Sequence, residues 1–279
     1  MKDKKIGFVG QGWIGKNYAD DFEERGFDVV RYALEESYLK NKGLIKDCDM
    51  VFIAVPTLTT PEGFNDSIVR EAVKLVGRGK IAVIKSTMLP GATDSIQKEN
   101  PDVLVVHSPE FLREKTARDD AKNPKRNIVG YTETSKEKAQ DVLDVLPKAR
   151  YEKIMPAEEA ELVKYAGNVF LSMKVVFANM LFDLSEKLDI DYELVKDAVS
   201  NDPRIGSSHM SIVSDSGRGA GGHCFIKDLA AFSEIYQEEV GDKEGKELLK
   251  AFERKNAKLL KDSKKDIDLL EGVYGKDIL

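Results

Sequence analysis

The sequence predicts an α/β protein: an N-terminal, doubly wound parallel sheet followed by an all-α region that begins with one long connecting helix. Three observations predict it. Short apolar runs recur through the first half with helical segments between them, the pattern of strands covered on both faces by crossover helices. Three glycines, Gly10, Gly12 and Gly15, follow the first run at the spacing G-x-G-x-x-G. From about residue 155 the strand-length runs stop and apolar residues recur at helical spacing. With 279 residues the chain has room for two modest domains, and the change of pattern sets them at 1–154 and 155–279.

The opening stretch KKIGFVGQGWIGKNYADDFEERGFDVVRYA reads as strand, tight glycine turn, helix ending at Gly26, and second strand. Such glycines let the backbone approach a pyrophosphate, and the helix N-terminus turns unpaired N–H groups toward its charge. The loop therefore marks a Rossmann-type NAD(P)-binding domain, with Gly10, Gly12, Trp13, Ile14 and Gly15 on the cofactor. A merely structural turn is the bland alternative. Further strands are expected at 50–55, 80–87, 102–108 and 127–131, with helices near 65–76, 91–98 and 135–145. Ligands in such sheets sit beyond the C-terminal strand ends. Thr57, Thr87 and Glu110 stand at those ends and should line one crevice. Taken singly, each threonine also reads as a helix cap and Glu110 as a solvated loop carboxylate.

An acidic residue about twenty positions past the glycines ordinarily takes the ribose hydroxyls of NAD. Here the second strand ends Arg31, Tyr32, Ala33, Leu34, with Glu35 and Glu36 later. Two readings stand: a loop glutamate serves NAD, or Arg31 favours the 2′-phosphate of NADP.

The second half opens on MPAEEAELVKYAGNVFLSMKVVFANMLFDLSEKLDI. Pro156 sits where a first helical turn tolerates it, and apolar residues follow at helical period from 162 to 184. A helix of roughly thirty residues is about 45 Å long, enough to serve more than one domain or to pack on a symmetry mate. Lys164 and Asn168, four apart, share a face; a lysine among apolar turns also reads as a snorkelling surface residue. Helices joined by one long irregular loop, NDPRIGSSHMSIVSDSGRGAGGHC, follow, and the amphipathic segment CFIKDLAAFSEIYQ puts Cys224 at a helix N-terminus. The free N–H groups there favour thiolate, Lys227 adds to the effect, and Asp228 lies on the same helical face as the sulfur. This is a prepared nucleophile; the bland reading is a small buried apolar residue, which also suits Cys48 in KDCDMVF. His223 is adjacent to Cys224, and adjacent helical residues do not face each other. His107 and His209 are isolated, and no spacing suggests a metal site.

Bulk composition narrows the function classes. A net charge of −6 provides no basic field for nucleic acid. The apolar runs are short and interrupted, so neither a signal peptide nor a membrane span is expected. Two cysteines make no disulfide framework and suit a reducing, cytoplasmic location.

In order along the chain stand GQGWIG, VFIAVPT, KSTMLPGAT, SPEFLREKTARDD, NPKRNIVG, AELVKYAGNVFLSMKVVFAN, DPRIG and GGHCFIKD. Together these motifs resemble the UDP-glucose/GDP-mannose 6-dehydrogenase family of nucleotide-sugar dehydrogenases, from Lys5 to about Asn256. The resemblance implies oxidation of a sugar's primary alcohol to a carboxylate by two NAD molecules through a cysteine-bound intermediate. It makes Cys224 the nucleophile, Lys164 and Asn168 the oxyanion partners, and Glu110, Thr87 and Asp228 the managers of the hydrolytic water. It gives Thr57, Thr87 and Lys227 to the cofactor, beside Arg31 from the strand end, and Glu110, Phe111, Leu112, Lys164, Asn168 and Gly221 to a small nucleotide-sugar substrate. Arg204 would reach the substrate across a homodimer built on the long helix from Pro156.

Three departures bear on the substrate more than on the thiol chemistry. The family adds a C-terminal nucleotide-binding domain, whereas this sequence stops at Leu279. The loop between the second strand and VFIAV is short and lacks the family's ribose aspartate. After RIG come SSHM and GRGAGG, with Ala220 at an aromatic position of the family. Two other readings stay open: a β-hydroxyacid dehydrogenase, whose relatives carry K-x-x-x-N on a long helix and use no thiol, and one part of a split enzyme, or a truncated form, needing a separate nucleotide-binding partner.

Overall fold

The computed structural model describes residues 3–214 and 217–276. The chain divides into two compact units, one of Met1–Leu58 and Asn65–Lys164, the other of Thr59–Phe64 and Tyr165–Leu279.

The strands are β1 (Lys5–Val9), β2 (Asp28–Tyr32), β3 (Met50–Ile53), β4 (Leu58–Thr60), β5 (Gly63–Asn65), β6 (Ile81–Ile84), β7 (Leu104–His107), β8 (Arg126–Tyr131) and β9 (Tyr151–Pro156). The helices before residue 157 are α1 (Trp13–Glu24), α2 (Glu36–Leu39), α3 (Ser67–Val73), α4 (Ala92–Glu99), α5 (Ala117–Lys122) and α6 (Ala139–Val145). Seven strands form the sheet of the first unit in the order β2-β1-β3-β6-β7-β8-β9. It is parallel from β2 to β7. β8 then joins β7 antiparallel, and β9 runs parallel to β8. Every residue of β3 and β6 is buried, as strands covered on both faces require.

The two faces hold separate cores. On one, Phe8 and Phe52 stack at 5.1 Å and Phe22 of α1 meets Phe8 edge-on at 5.4 Å. Each such ring contributes about 1.5–3 kcal/mol by burial. On the other, Val69, Ala72 and Val73 of α3 and Ile96 of α4 cover Ile53, Ile84 and Val105. Strand order reverses direction between β1 and β3, and the C-terminal ends of strands at such a point form a crevice.

Two sequence expectations change here. Pro156 does not start a helix: it ends β9, opposite Tyr131, on an edge strand where a missing N–H costs no ladder bond. The strand itself, YEKIMP, holds two charged residues in six, is partly exposed and carries no apolar run to announce it.

The helix that follows, α7 (Ala157–Leu188), is 32 residues long. Its residues from Tyr165 onward belong to the second unit, with α8 (Tyr192–Ser200), α9 (Gly222–Glu239), α10 (Lys243–Ser263) and α11 (Ile267–Tyr274). The α8 N-cap Asp191 accepts a hydrogen bond from Glu193 N, and the α10 N-cap Asp242 accepts one from Gly245 N. Ile226 of α9, Ala257 and Leu260 of α10 and Leu270 of α11 make the small core of this unit. The apolar stripe of α7 splits: Val169 and Val176 are buried, whereas Phe170, Phe177, Met180, Leu184 and Leu188 are exposed. Among the described residues α7 is also the one helix long and apolar enough to cross a membrane by length and composition. Lys174, in the middle of it, donates to the carbonyl oxygens of Ile205 and Gly206.

Candidate active site

The glycine loop follows β1 and leads into α1, whose N-cap Gly12 is extended and whose first turn holds no acidic residue. Gly10 has a φ of +93°, and a Cβ there would lie 2.2 Å from the Ala54 carbonyl oxygen. A Cβ on Gly15 would lie 2.0 Å from the Gly10 carbonyl oxygen. Gly12 differs: a Cβ there would meet nothing within 4 Å. The loop is thus a tight turn with open space in front of its helix N-terminus, which fits a pyrophosphate. Trp13 is exposed, while Ile14 is half-buried and packs on the core.

Arg31, at the end of β2, pairs with Asp20 and Glu23 of α1, each at 2.7 Å, and reaches Gln11 Oε1 of the loop at 3.4 Å. Its guanidinium fork is therefore committed to two carboxylates.

At the ends of β3, β6 and β7 stand Thr57, Thr87 and Glu110, all buried. Glu110 is no solvated carboxylate. Lys164 Nζ donates to Glu110 Oε1 and to the Glu110 carbonyl oxygen, each at 2.8 Å, and Leu112 N donates to Oε2 at 2.7 Å. Lys164 is 4% exposed, so it does not snorkel. A buried pair of this kind is specified rather than decorative, since desolvation makes either charge expensive alone. Phe111 lies between two cations, with the Arg126 guanidinium 3.7 Å and Lys164 Nζ 5.8 Å from its ring centroid.

Behind this pair is a group the sequence reading passed over as part of a strand. Lys85, 3% exposed, donates to Ser108 Oγ at 3.2 Å and lies 4.4 Å from the centroid of the Tyr18 ring. Burial pushes its amine down to about 7, with Glu110 opposing that shift and Lys164 adding to it. Its signal was a lysine placed directly after the apolar run IAVI and before Ser86 and Thr87. His107 of β7 is fully buried, and burial holds it neutral, down to about 3.

In the second unit, Cys224 is half-buried in the first turn of α9, behind the N-cap Gly221. One turn later Asp228, 1% exposed, accepts from Asn168 Nδ2 at 2.5 Å on one oxygen and from Lys227 Nζ at 2.6 Å on the other. Lys227 is thus an ion-pair partner of Asp228. Lys164 and Asn168, four apart on α7, hold different carboxylates, Glu110 and Asp228. Arg204 is exposed and bonds Asp202. Gly221 would place a Cβ 2.1 Å from Asp266 Oδ2, a contact no local pattern announces. Cys48 is fully buried, and burial pushes its thiol up to about 11. Among the described residues no group of three His, Cys, Asp or Glu side chains is placed to hold a metal.

Residues 33–146 match the sequence model of the UDP-glucose/GDP-mannose dehydrogenase family's NAD binding domain, and residues 158–258 match that of its central domain. The chain is 32% identical to an uncharacterized protein of Methanocaldococcus jannaschii, over 81% of this chain and 30% of that protein. It is 35% identical to a UDP-glucose 6-dehydrogenase of Rhizobium meliloti, over 84% of this chain. It spans 64% of that relative's length. A solved UDP-glucose dehydrogenase structure from Pyrobaculum islandicum superposes with a TM-score of 0.79 at 30% identity, covering 91% of this chain and 68% of that one.

Proposed function

The chain belongs to the UDP-glucose/GDP-mannose dehydrogenase family, and from that premise we propose that it oxidises the primary alcohol of a UDP-glucose-like nucleotide sugar to the uronate, through thiohemiacetal and thioester intermediates on Cys224. The observation that carries this reading is the half-buried thiol in the first turn of α9, one turn before the buried Asp228.

The loop of Gly10, Gly12 and Gly15 would hold NAD, which when bound would supply the hydride acceptor for both oxidations. Arg31 supports NAD over NADP, because Asp20 and Glu23 around it would repel a 2′-phosphate. Cys224, its thiolate favoured by the helix N-terminus, adds to the aldehyde produced by the first oxidation. The C–S bond that forms turns a carbonyl carbon back into an alcohol-like centre, which then loses its hydride and becomes a thioester. Lys164 and Asn168 donate N–H groups to the oxyanion that develops at the reacting carbon. Glu110, Thr87 and Asp228 orient the water that cleaves the thioester; its oxygen enters the carboxylate, and the sulfur leaves as thiolate. Net, one alcohol, one water and two NAD+ yield one carboxylate, two NADH and three protons.

The exposed residues Phe170, Phe177 and Leu184 recur every seven positions along α7, with Met180 and Leu188 beside them, the spacing of a helix-pair seam. This supports a homodimer through α7; Phe177→Asp should convert it to monomer in sedimentation velocity. Neither cysteine forms a disulfide among the described residues, which suits a reducing cytoplasm.

The test follows NADH absorbance with a panel of UDP- and GDP-sugars. The expected result is two NADH per sugar, with the sugar-nucleotide uronate as product and no uronate formed by Cys224→Ser. Equal turnover by Cys224→Ser would show that the thiol is not the nucleophile.

A further inference from the structure

The loop that leads into the thiol's helix is fastened from one side by the end of α10 and its junction with α11. Asn256 of α10 accepts from Ala220 N at 2.8 Å and donates to the Ala220 carbonyl oxygen at 2.9 Å. Ser263 Oγ accepts from Arg218 N at 3.0 Å. Lys265, 4% exposed, donates to the carbonyl oxygens of Ser214 at 2.9 Å and Gly219 at 3.3 Å. Two of the four non-glycine residues with positive φ among the described residues, Lys264 and Asp266, fall in this junction, a backbone cost kept only where surrounding contacts impose it.

Asp266 is the N-cap residue of α11, yet its side chain does not cap that helix. Aspartate is among the best N-caps because its carboxylate satisfies the free N–H groups of its own first turn. Here Oδ2 instead accepts from Gly222 N, the first residue of α9, at 2.7 Å. Gly221 is what admits it, since any Cβ there would collide with that oxygen. Leu270, fully buried against Ile226 and Leu260, holds α11 in place behind it.

We propose that Asp266 is a positioning residue for Cys224: its carboxylate fixes the first turn of the thiol's helix and, by opposing the positive helix end, raises the proton affinity of the sulfur. An anion at a helix N-terminus takes up part of the charge that would otherwise stabilise a thiolate two residues on. Other charged or titratable groups near the thiol's turn include His223, Lys227 and Asp228 on α9, Lys265 on the junction, and His209, whose ring lies 5.8 Å from Phe225. The tail thereby tunes reactivity and geometry through one side chain. The inference rests on the proposed function only in taking Cys224 as the reacting thiol.

The experiment measures the rate of Cys224 alkylation by iodoacetamide against pH, by peptide mass spectrometry on the full chain. Asp266→Asn keeps an oxygen for Gly222 N and removes the charge, so the midpoint should fall by about 0.2–0.7 of a pH unit. Asp266→Glu should keep the wild-type midpoint. Leu270→Ala should lower the melting temperature and leave the midpoint in place, which separates tuning from loosened packing. An unshifted midpoint in both Asp266→Asn and Asp266→Ala overturns the inference. Because alkylation needs no substrate, a shifted midpoint in a protein without dehydrogenase turnover would sustain this inference while removing the proposed activity, and turnover with an unshifted midpoint would do the reverse.

Discussion

The two units hold their carboxylates in different ways. Glu110 of the first unit is buried on a strand end and answered by a full charge, Lys164, with a backbone N–H on its other oxygen. Asp228 of the second sits on a helix and shares its oxygens between a neutral amide, Asn168, and the partly exposed Lys227. One carboxylate is compensated by a cation that is itself buried, the other by a partly exposed cation and a neutral amide near a half-buried thiol. The difference teaches where disruption will register: as lost folding in the first unit, and chiefly as altered chemistry in the second.

Lys164→Ala should be the most costly test of that contrast. It leaves Glu110 buried without its cation, and a loss of about 3–5 kcal/mol is expected in urea unfolding. Adding Glu110→Gln to Lys164→Met should recover most of this stability and none of the activity. Asn168→Ala removes one of two donors to Asp228, so about 1–3 kcal/mol is expected in the same assay. A larger loss from Asn168→Ala than from Lys164→Ala would reverse the comparison.

A smaller effect is a slope. Lys85 has its folded-state proton affinity lowered to about 7, so between about pH 7 and 10 the unfolded chain holds a proton that the folded chain has released. Stability should therefore climb with pH across that window, as far as this group is concerned, and level off below it. Lys85→Met should flatten the climb in urea midpoints taken at pH 6, 8 and 9.5. Smallest of all, Arg204→Ala should leave the urea midpoint unchanged, because its pairing with Asp202 is exposed; a role in substrate binding would appear in KM alone.

Much of the first unit was legible because parallel strands buried on both faces must be apolar, and MVFI and IAVI are. The position of Cys224 was legible for a similar reason, since glycines followed by an amphipathic run mark a helix start. Glu110, Lys164 and Asn168 were nameable from spacing and family resemblance, but not their pairing: that Lys164 binds Glu110 and Asn168 binds Asp228 depends on contacts 54 and 60 residues apart. β9 escaped because an edge strand needs no apolar run. Asp266 escaped for a deeper reason. KKDID reads as a solvated charge run, and nothing local tells that one carboxylate turns away from its own helix.

The burial of Cys48 makes the protein its own standard for thiol titration. A mild disulfide reagent applied to the folded chain should consume one equivalent, at Cys224, and a second only after denaturant opens the sheet and frees Cys48. The folded equivalent then counts competent sites in any preparation, so that turnover can be stated per intact centre instead of per mass of protein.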